Sequence, residues 1–212
     1  MSVLSDPAAA TAWNRARYSA YAPLYDLVAA PFAAGRRRSV ELLALQPGER
    51  VLILGCGTGL DLPLLSGDVR VTAFDLTPAM VHRTATRATG LGRVIDTAVM
   101  NGQQVALADG AFDAVVLHLI LAVIPDPMAC AREAARLLRP GGRAAIFDKW
   151  LPDGARPSLA RRAVNAVTSA AFSDINRQLG PILATTDLRV THQEPAGLGG
   201  AYQVALAARP LR

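Results

Sequence analysis

The 212-residue sequence predicts an α/β protein built on a doubly wound, mostly parallel sheet. An unbroken apolar run, Val51 to Leu54, reads as a strand buried on both faces and stops at the alternating glycines Gly55, Gly57 and Gly59. Downstream, strand-like and helix-like segments alternate, the pattern of parallel strands joined by covering helices. At the end, LRVTHQEP and AYQVALAAR are separated by little more than GLGG. That spacing suits a hairpin, so the final strand should run antiparallel to the others.

Taken in order, the first 46 residues read as helices, one from about Pro7 to Tyr21 and another from about Ala33 to Leu45, with YAPLYDLVAAPF between them. The turn QPGE leads into VLILG, the first strand, and the apolar LDLPLL after the glycines predicts a short helix near Leu60 to Leu65, with Pro63 in its first turn. VRVTAFDL is the second strand, ending on Asp75. Thr77 and Pro78 supply a capping hydroxyl and a first-turn proline for a helix reaching about Thr89. AVM near Asn101 is the third strand, AFDAVVLHL the fourth, Asp126 to Leu138 a helix and GRAAIFDK the fifth strand, with Arg139-Pro-Gly-Gly as the preceding turn. Residues 156 to 180 read as helical, and RPSLARRAVNAVTSAAF spaces apolar and arginine residues so that it suits either solvent or a membrane surface.

Composition narrows the function. At 51% hydrophobic and 18% charged the chain is expected to be globular, with one well-buried core and a small elaboration. No apolar stretch approaches the roughly 18 residues of a membrane span, and the N-terminus lacks a basic segment followed by an apolar run. A cytoplasmic protein is expected, with peripheral contact to the inner face of the membrane left open. Cys56 and Cys130 have neither metal spacing nor a disulfide framework and should be reduced thiols. His82, His118 and His192 lack short ligand spacing, so no metal site is expected. The net charge of +5 is carried almost wholly by arginine, Lys149 being the one lysine. Arginines cluster at Arg15, Arg17, Arg36, Arg37 and Arg38 and again at Arg156, Arg161 and Arg162, as an anionic surface would favour or a compositional bias would produce.

The glycine loop lets backbone N–H groups approach a ligand. Leu60 stands where a dinucleotide fingerprint needs its third glycine, which disfavours a pyrophosphate, while Asp75, twenty residues after Gly55, is placed to accept from ribose hydroxyls. With FDAVVLHLILAVIPDP from Phe112 and RLLRPGGRAAIF from Arg136, these motifs follow an order that resembles the class I S-adenosylmethionine-dependent methyltransferases. The resemblance covers roughly residues 40 to 150. It implies a Rossmann-like, seven-stranded sheet, an N-terminal helical lid over residues 1–46, a core over 47–212 and S-adenosylmethionine as cofactor.

It further implies that Gly55, Cys56, Gly57 and Gly59 line the methionine and ribose portion, that Asp75 holds the ribose diol, and that Leu76, Asn101 and Gly102 meet adenine. Two positions depart from the family: Ile53 replaces a common acid in the first strand, and Asn101 is neutral where an acid is usual. Asp61 could stand in for the first, or be an exposed loop carboxylate. His118, at the carboxyl edge of strand four, could accept a proton from the methyl acceptor or only contact the cofactor. Tyr25 is the second candidate for that proton. Tyr18, Asp148 and Lys149 are candidate substrate contacts, the last two with mutual pairing as the alternative.

YAPLYD, GRRR and LILAVIPDP are most similar to bacterial phosphatidylethanolamine N-methyltransferases and their quinone-methylating relatives. The acceptor is therefore expected to be a lipid amine headgroup. Alternatives are a quinone or other small molecule, or cofactor binding without catalysis. Nucleic acid is disfavoured, since no Asn/Asp-Pro-Pro-Tyr-type motif follows strand four.

Overall fold

The computed structural model describes residues 7–22, 24–171, 173–197 and 200–211. Seven strands form one sheet in the order β3-β2-β1-β4-β5-β7-β6. They are β1 (Arg50–Leu54), β2 (Arg70–Asp75), β3 (Asp96–Val99), β4 (Phe112–His118), β5 (Leu138–Asp148), β6 (Arg189–Pro195) and β7 (Gln203–Ala208). The first five pair in parallel, and β7 runs antiparallel to both β5 and β6, as the terminal hairpin predicted. The helices are α1 (Pro7–Tyr21), α2 (Tyr25–Ala29), α3 (Ala33–Leu42), α4 (Pro78–Gly90), α5 (Pro127–Leu137), α6 (Leu159–Ala171) and α7 (Leu179–Leu183).

Period-two alternation along β1 builds both faces of the core. Leu52 and Leu54 pack with Val115, Leu117 and Ile146 beneath the α5 and α7 residues Ala134 and Ile182. Val51 and Ile53 face the other way, into a cluster containing Val40 and Leu43 at the α3 end and Ala88 of α4. A strand apolar at every position is thus a strand covered twice. Strand order reverses between β1 and β4, opening a crevice at their carboxyl ends, where sheets of this kind place their ligands.

Several details differ from the sequence reading, and among the described residues the 156–180 stretch is helical only over Leu159–Ala171 and from Leu179. The segment expected as a helix from Leu60 to Leu65 is only a 3-10 turn, Leu62–Leu64, ending with Leu65 extended. Arg93 explains the stop: its guanidinium donates to the Leu62, Leu65 and Ser66 carbonyls at 3.0, 2.9 and 2.8 Å, occupying acceptors that a longer helix would need. Arg139-Pro-Gly-Gly is not a separate turn. The chain enters β5 at Leu138, opposite Phe112, bulges, and resumes pairing at Arg143 opposite Ala114. Thr77 occupies the N-cap of α4 without a side-chain capping bond; its N–H donates to Asp75 Oδ1 at 3.0 Å and its side chain is also engaged with that carboxylate. Side-chain capping occurs instead at α5, where Asp126 Oδ1 accepts from the Ala129 N–H at 2.9 Å.

Candidate active site

The carboxyl edge of the central strands opens into a cleft. β1 delivers Gly55 and Gly57, β2 delivers Asp75, and the loop after β3 delivers Asn101 and Gly102. β4 ends in His118, while α1 and α2 bring Tyr18 and Tyr25 over the opening.

The glycine loop is organised by Asp75. Gly57 has φ +54° and donates its N–H to Asp75 Oδ2 at 3.0 Å. A Cβ on Gly57 would lie 3.6 Å from the Tyr25 ring, so loop and overlying helix are already in contact. On Gly102 it would meet Leu54 at 2.7 Å, which keeps the cleft floor low. Phe74, Leu76, Met80, Met100 and Ile124 give the Asn101 end apolar walls, and burial raises the Asp75 pKa although three backbone N–H groups favour its charge. Apolar walls beside a buried carboxylate fit the adenosine part of S-adenosylmethionine.

At the other end lies a buried network. Asp61, only 1% exposed, accepts from Arg36 Nη1 at 2.9 and 3.0 Å, and its Oδ1 is 2.8 Å from His118 Nδ1. Burial opposes its charge, but Arg36 and His118 outweigh that and hold its carboxyl well below the ordinary range. The Arg36 charge also acts on Tyr25, whose pKa is raised chiefly by burial. His118 Nε2 is buried without a protein partner, and its ring stands edge-on to Phe147 with centroids 5.9 Å apart. The chain turns sharply after His118: Leu119 adopts φ +57° and donates its N–H to the Phe147 carbonyl at 2.7 Å.

Of the residues singled out in sequence, Tyr18, Tyr25, Gly55, Gly57, Asp75, Leu76, Asn101, Gly102 and His118 line this cleft. Four lie behind or beside it. Cys56 is buried against Thr84, whose hydroxyl lies 3.3 Å from its Sγ, and a Cβ on Gly59 would meet Thr84 at 3.1 Å. Asp148 is buried, accepting from the Ala122 and Lys149 N–H groups at 2.9 Å, and the Lys149 ammonium sits over the Tyr202 ring rather than pairing with the Asp148 side chain. Asp61 is no exposed loop carboxylate, and Arg36 and Arg17 are buried and so leave the surface arginine cluster. Both cysteines are free thiols.

Arg36 as an Asp61 partner and Leu119 as a left-handed pivot were missed in sequence. The first pairing is separated by 25 residues, and a leucine carries no signal for positive φ.

A methyltransferase-domain family model matches residues 52–146, from β1 into β5. Together with the strand order and the cleft, this identifies a class I S-adenosylmethionine-dependent methyltransferase, with S-adenosylmethionine as its cofactor. Among relatives, the chain is 28% identical over 181 residues to a phosphatidylethanolamine N-methyltransferase of Cereibacter sphaeroides, covering 84% of this chain and 89% of that one. It is 35% identical over 143 residues to a 2-phytyl-1,4-naphtoquinone methyltransferase of Synechococcus elongatus, covering 62% and 61% respectively. A solved geranyl diphosphate methyltransferase in complex with SAM shares the fold, at TM-score 0.71 and 18% identity over 84% of this chain and 85% of that one.

Proposed function

We propose that this methyltransferase acts on the amine headgroup of a phosphatidylethanolamine-like lipid. The observation that carries the reading is the similarity to the Cereibacter sphaeroides enzyme, which covers 84% of this chain and so takes in sequence well beyond the shared methyltransferase core at residues 52–146. In this reading Gly55 and Gly57 border the methionine and ribose part of the cofactor, Asp75 receives the ribose diol, and Leu76, Asn101 and Gly102 border adenine. Cys56 and Gly59 support the loop from behind. α1 and α2 serve as the lid. Asn14 ties α1 to the rim through the Val123 carbonyl at 2.8 Å, and Gln103 Nε2 lies 3.4 Å from the Thr11 hydroxyl.

The cofactor supplies an activated methyl for in-line displacement, so the protein's task is to align the acceptor, exclude water and take up a proton. An alkylammonium titrates near 10, as lysine does, and has no lone pair until it loses a proton. His118 is the acceptor of that proton, with Tyr25 beside it and Tyr18 at the entrance.

Exposed side chains on α6 and near α2 suit a bilayer. α6 is inverted: Arg161 and Asn165 turn inward to hold the Ile175 backbone and the Asn176 side chain, while Leu159, Val164 and Val167 are exposed. Leu24, Leu27 and Val28 of the α2 region are also exposed, and so are Arg15, Arg37, Arg156 and Arg162. Apolar side chains beside arginines match the interface of an anionic membrane, about 1 kcal/mol per basic residue near the surface. No helix among the described residues is long and apolar enough to cross it.

The higher local identity to the naphthoquinone enzyme favours a quinol as the second reading. The test is incorporation of radiolabelled methyl from S-adenosylmethionine in three parallel reactions: phosphatidylethanolamine–phosphatidylglycerol vesicles, a demethylated quinol in neutral vesicles, and an aqueous metabolite extract. Label in the phospholipid is expected. Label confined to the quinol or the aqueous phase rejects the headgroup assignment.

A further inference from the structure

We propose that Asp61, anchored by Arg36, is a positioning residue that fixes His118 with a proton on Nδ1 and directs its Nε2 lone pair to the acceptor end of the cleft. The inference rests on the methyl-transfer reading above and assigns Asp61 to the proton path rather than to the cofactor's amino group.

The hydrogen-bond inventory leads there. Both Asp61 oxygens are engaged, Oδ1 by Arg36 and His118 and Oδ2 by Arg36, and Asp61 does not line the cleft. An ionised carboxylate only accepts, so the 2.8 Å contact requires His118 Nδ1 to carry the proton. In the neutral ring, Nε2 must then be the acceptor. That atom is buried and without a protein partner, on a ring that lines the cleft. The ring is held by Asp61 at one nitrogen, Phe147 at its edge and the Leu119 turn at its backbone.

The charged and titratable groups around Asp61 and His118 are Arg36 and Tyr25, with Tyr18, Asp75 and Asp148 also acting on Tyr25.

The reaction balances with these groups. The ammonium proton of the acceptor moves to His118 Nε2, giving an imidazolium opposite the Asp61 carboxylate. The nitrogen pair so released forms the N–C bond as the C–S bond breaks onto sulfur, and the histidine proton returns to water when product leaves.

The test reads the tautomer directly. His118 is one of three histidines, so protein labelled with ¹⁵N-histidine gives a long-range ¹H–¹⁵N spectrum assignable with His82→Gln and His192→Gln. At a pH where the ring is neutral, the wild type should show Nδ1 protonated and Nε2 bare. In Asp61→Asn the amide oxygen stays on Arg36 and the NH₂ faces Nδ1, so the proton should move to Nε2. S-adenosylhomocysteine affinity should stay within about threefold while kcat on phosphatidylethanolamine vesicles falls by about a hundredfold or more, the usual contribution of a positioned base. A wild-type His118 protonated on Nε2 overturns the inference, and that spectrum decides alone should the variant not fold. A D61N tautomer like the wild type's also overturns it, as does an S-adenosylhomocysteine affinity that falls in step with turnover. The expected tautomer in a wild type inactive on the vesicles rejects the lipid reading but leaves this inference standing.

Discussion

Gly57 and Asp75 show how a few atoms shape a loop at the cleft. Asp75 accepts the Gly57 N–H and the Thr77 N–H, so one carboxylate ties the loop after β1 to the loop after β2. Gly57→Val meets two obstacles: a left-handed φ of +54°, costing an ordinary residue about 1–2 kcal/mol, and a Tyr25 ring already 3.6 Å from the first added carbon. S-adenosylmethionine affinity should fall at least about tenfold, equivalent to about 1.4 kcal/mol, and calorimetry giving wild-type affinity would remove the loop from the cofactor site. Asp75→Ala frees both N–H groups and removes the proposed ribose acceptor. Its affinity should drop by about 1.5–3 kcal/mol, the range of hydrogen bonds to a charged group, with the fold retained by circular dichroism. These residues were legible because each sits at a strand end that periodicity locates. The Asp61–His118 contact spans 57 residues, and only the register of β1 beside β4 creates it.

Helices expose what periodicity can and cannot reveal. α5 falls within a residue of its sequence reading at each end, with Asp126 as its cap and its alanines facing the core. α6 carries an equally clear helical pattern, but the pattern does not say which face turns inward, and here Arg161 and Asn165 bind polar backbone while the valines face out. Changing Leu159, Val164 and Val167 together to Ser should move stability by no more than about 0.5 kcal/mol each, as for exposed sites, yet weaken flotation with anionic vesicles. Unchanged flotation would exclude α6 as the contacting face. α3 gives the opposite case. Gly35 lies inside this helix, where Ala would ordinarily add about 1 kcal/mol, but its Cβ would fall 2.4 Å from the fully buried Phe147 ring. Overpacking costs about 1–3 kcal/mol, so Gly35→Ala should lower the urea midpoint, and a raised one would mean that Phe147 has room to move.

For the molecule as a whole, the sheet order was legible from alternation and the terminal hairpin, whereas the charges it buries were not. Closing β4 beside β1 and laying α3 across β5 and β7 gathers Arg36, Asp61 and His118 out of water. Desolvating such a network is costly, and leaving one partner uncompensated costs about 3–5 kcal/mol. Asp61→Asn should lose about that much unfolding free energy at neutral pH. The pH dependence fixes the cause. The carboxyl of Asp61 is depressed in the folded state, so its stabilisation is complete above the unfolded value of about 3.9 and is lost as pH falls toward the folded value. Asp75 and Asp148 are raised, chiefly by burial, and carry the opposite sign: each favours the folded state more as pH falls through its folded value. Both remain in the variant, so subtracting its urea-denaturation profile from that of the wild type cancels them. The difference should narrow as pH falls below about 4. A difference that stays constant well into that acid range would mean that the lost stability comes from altered packing around Arg36 and not from the charge on Asp61.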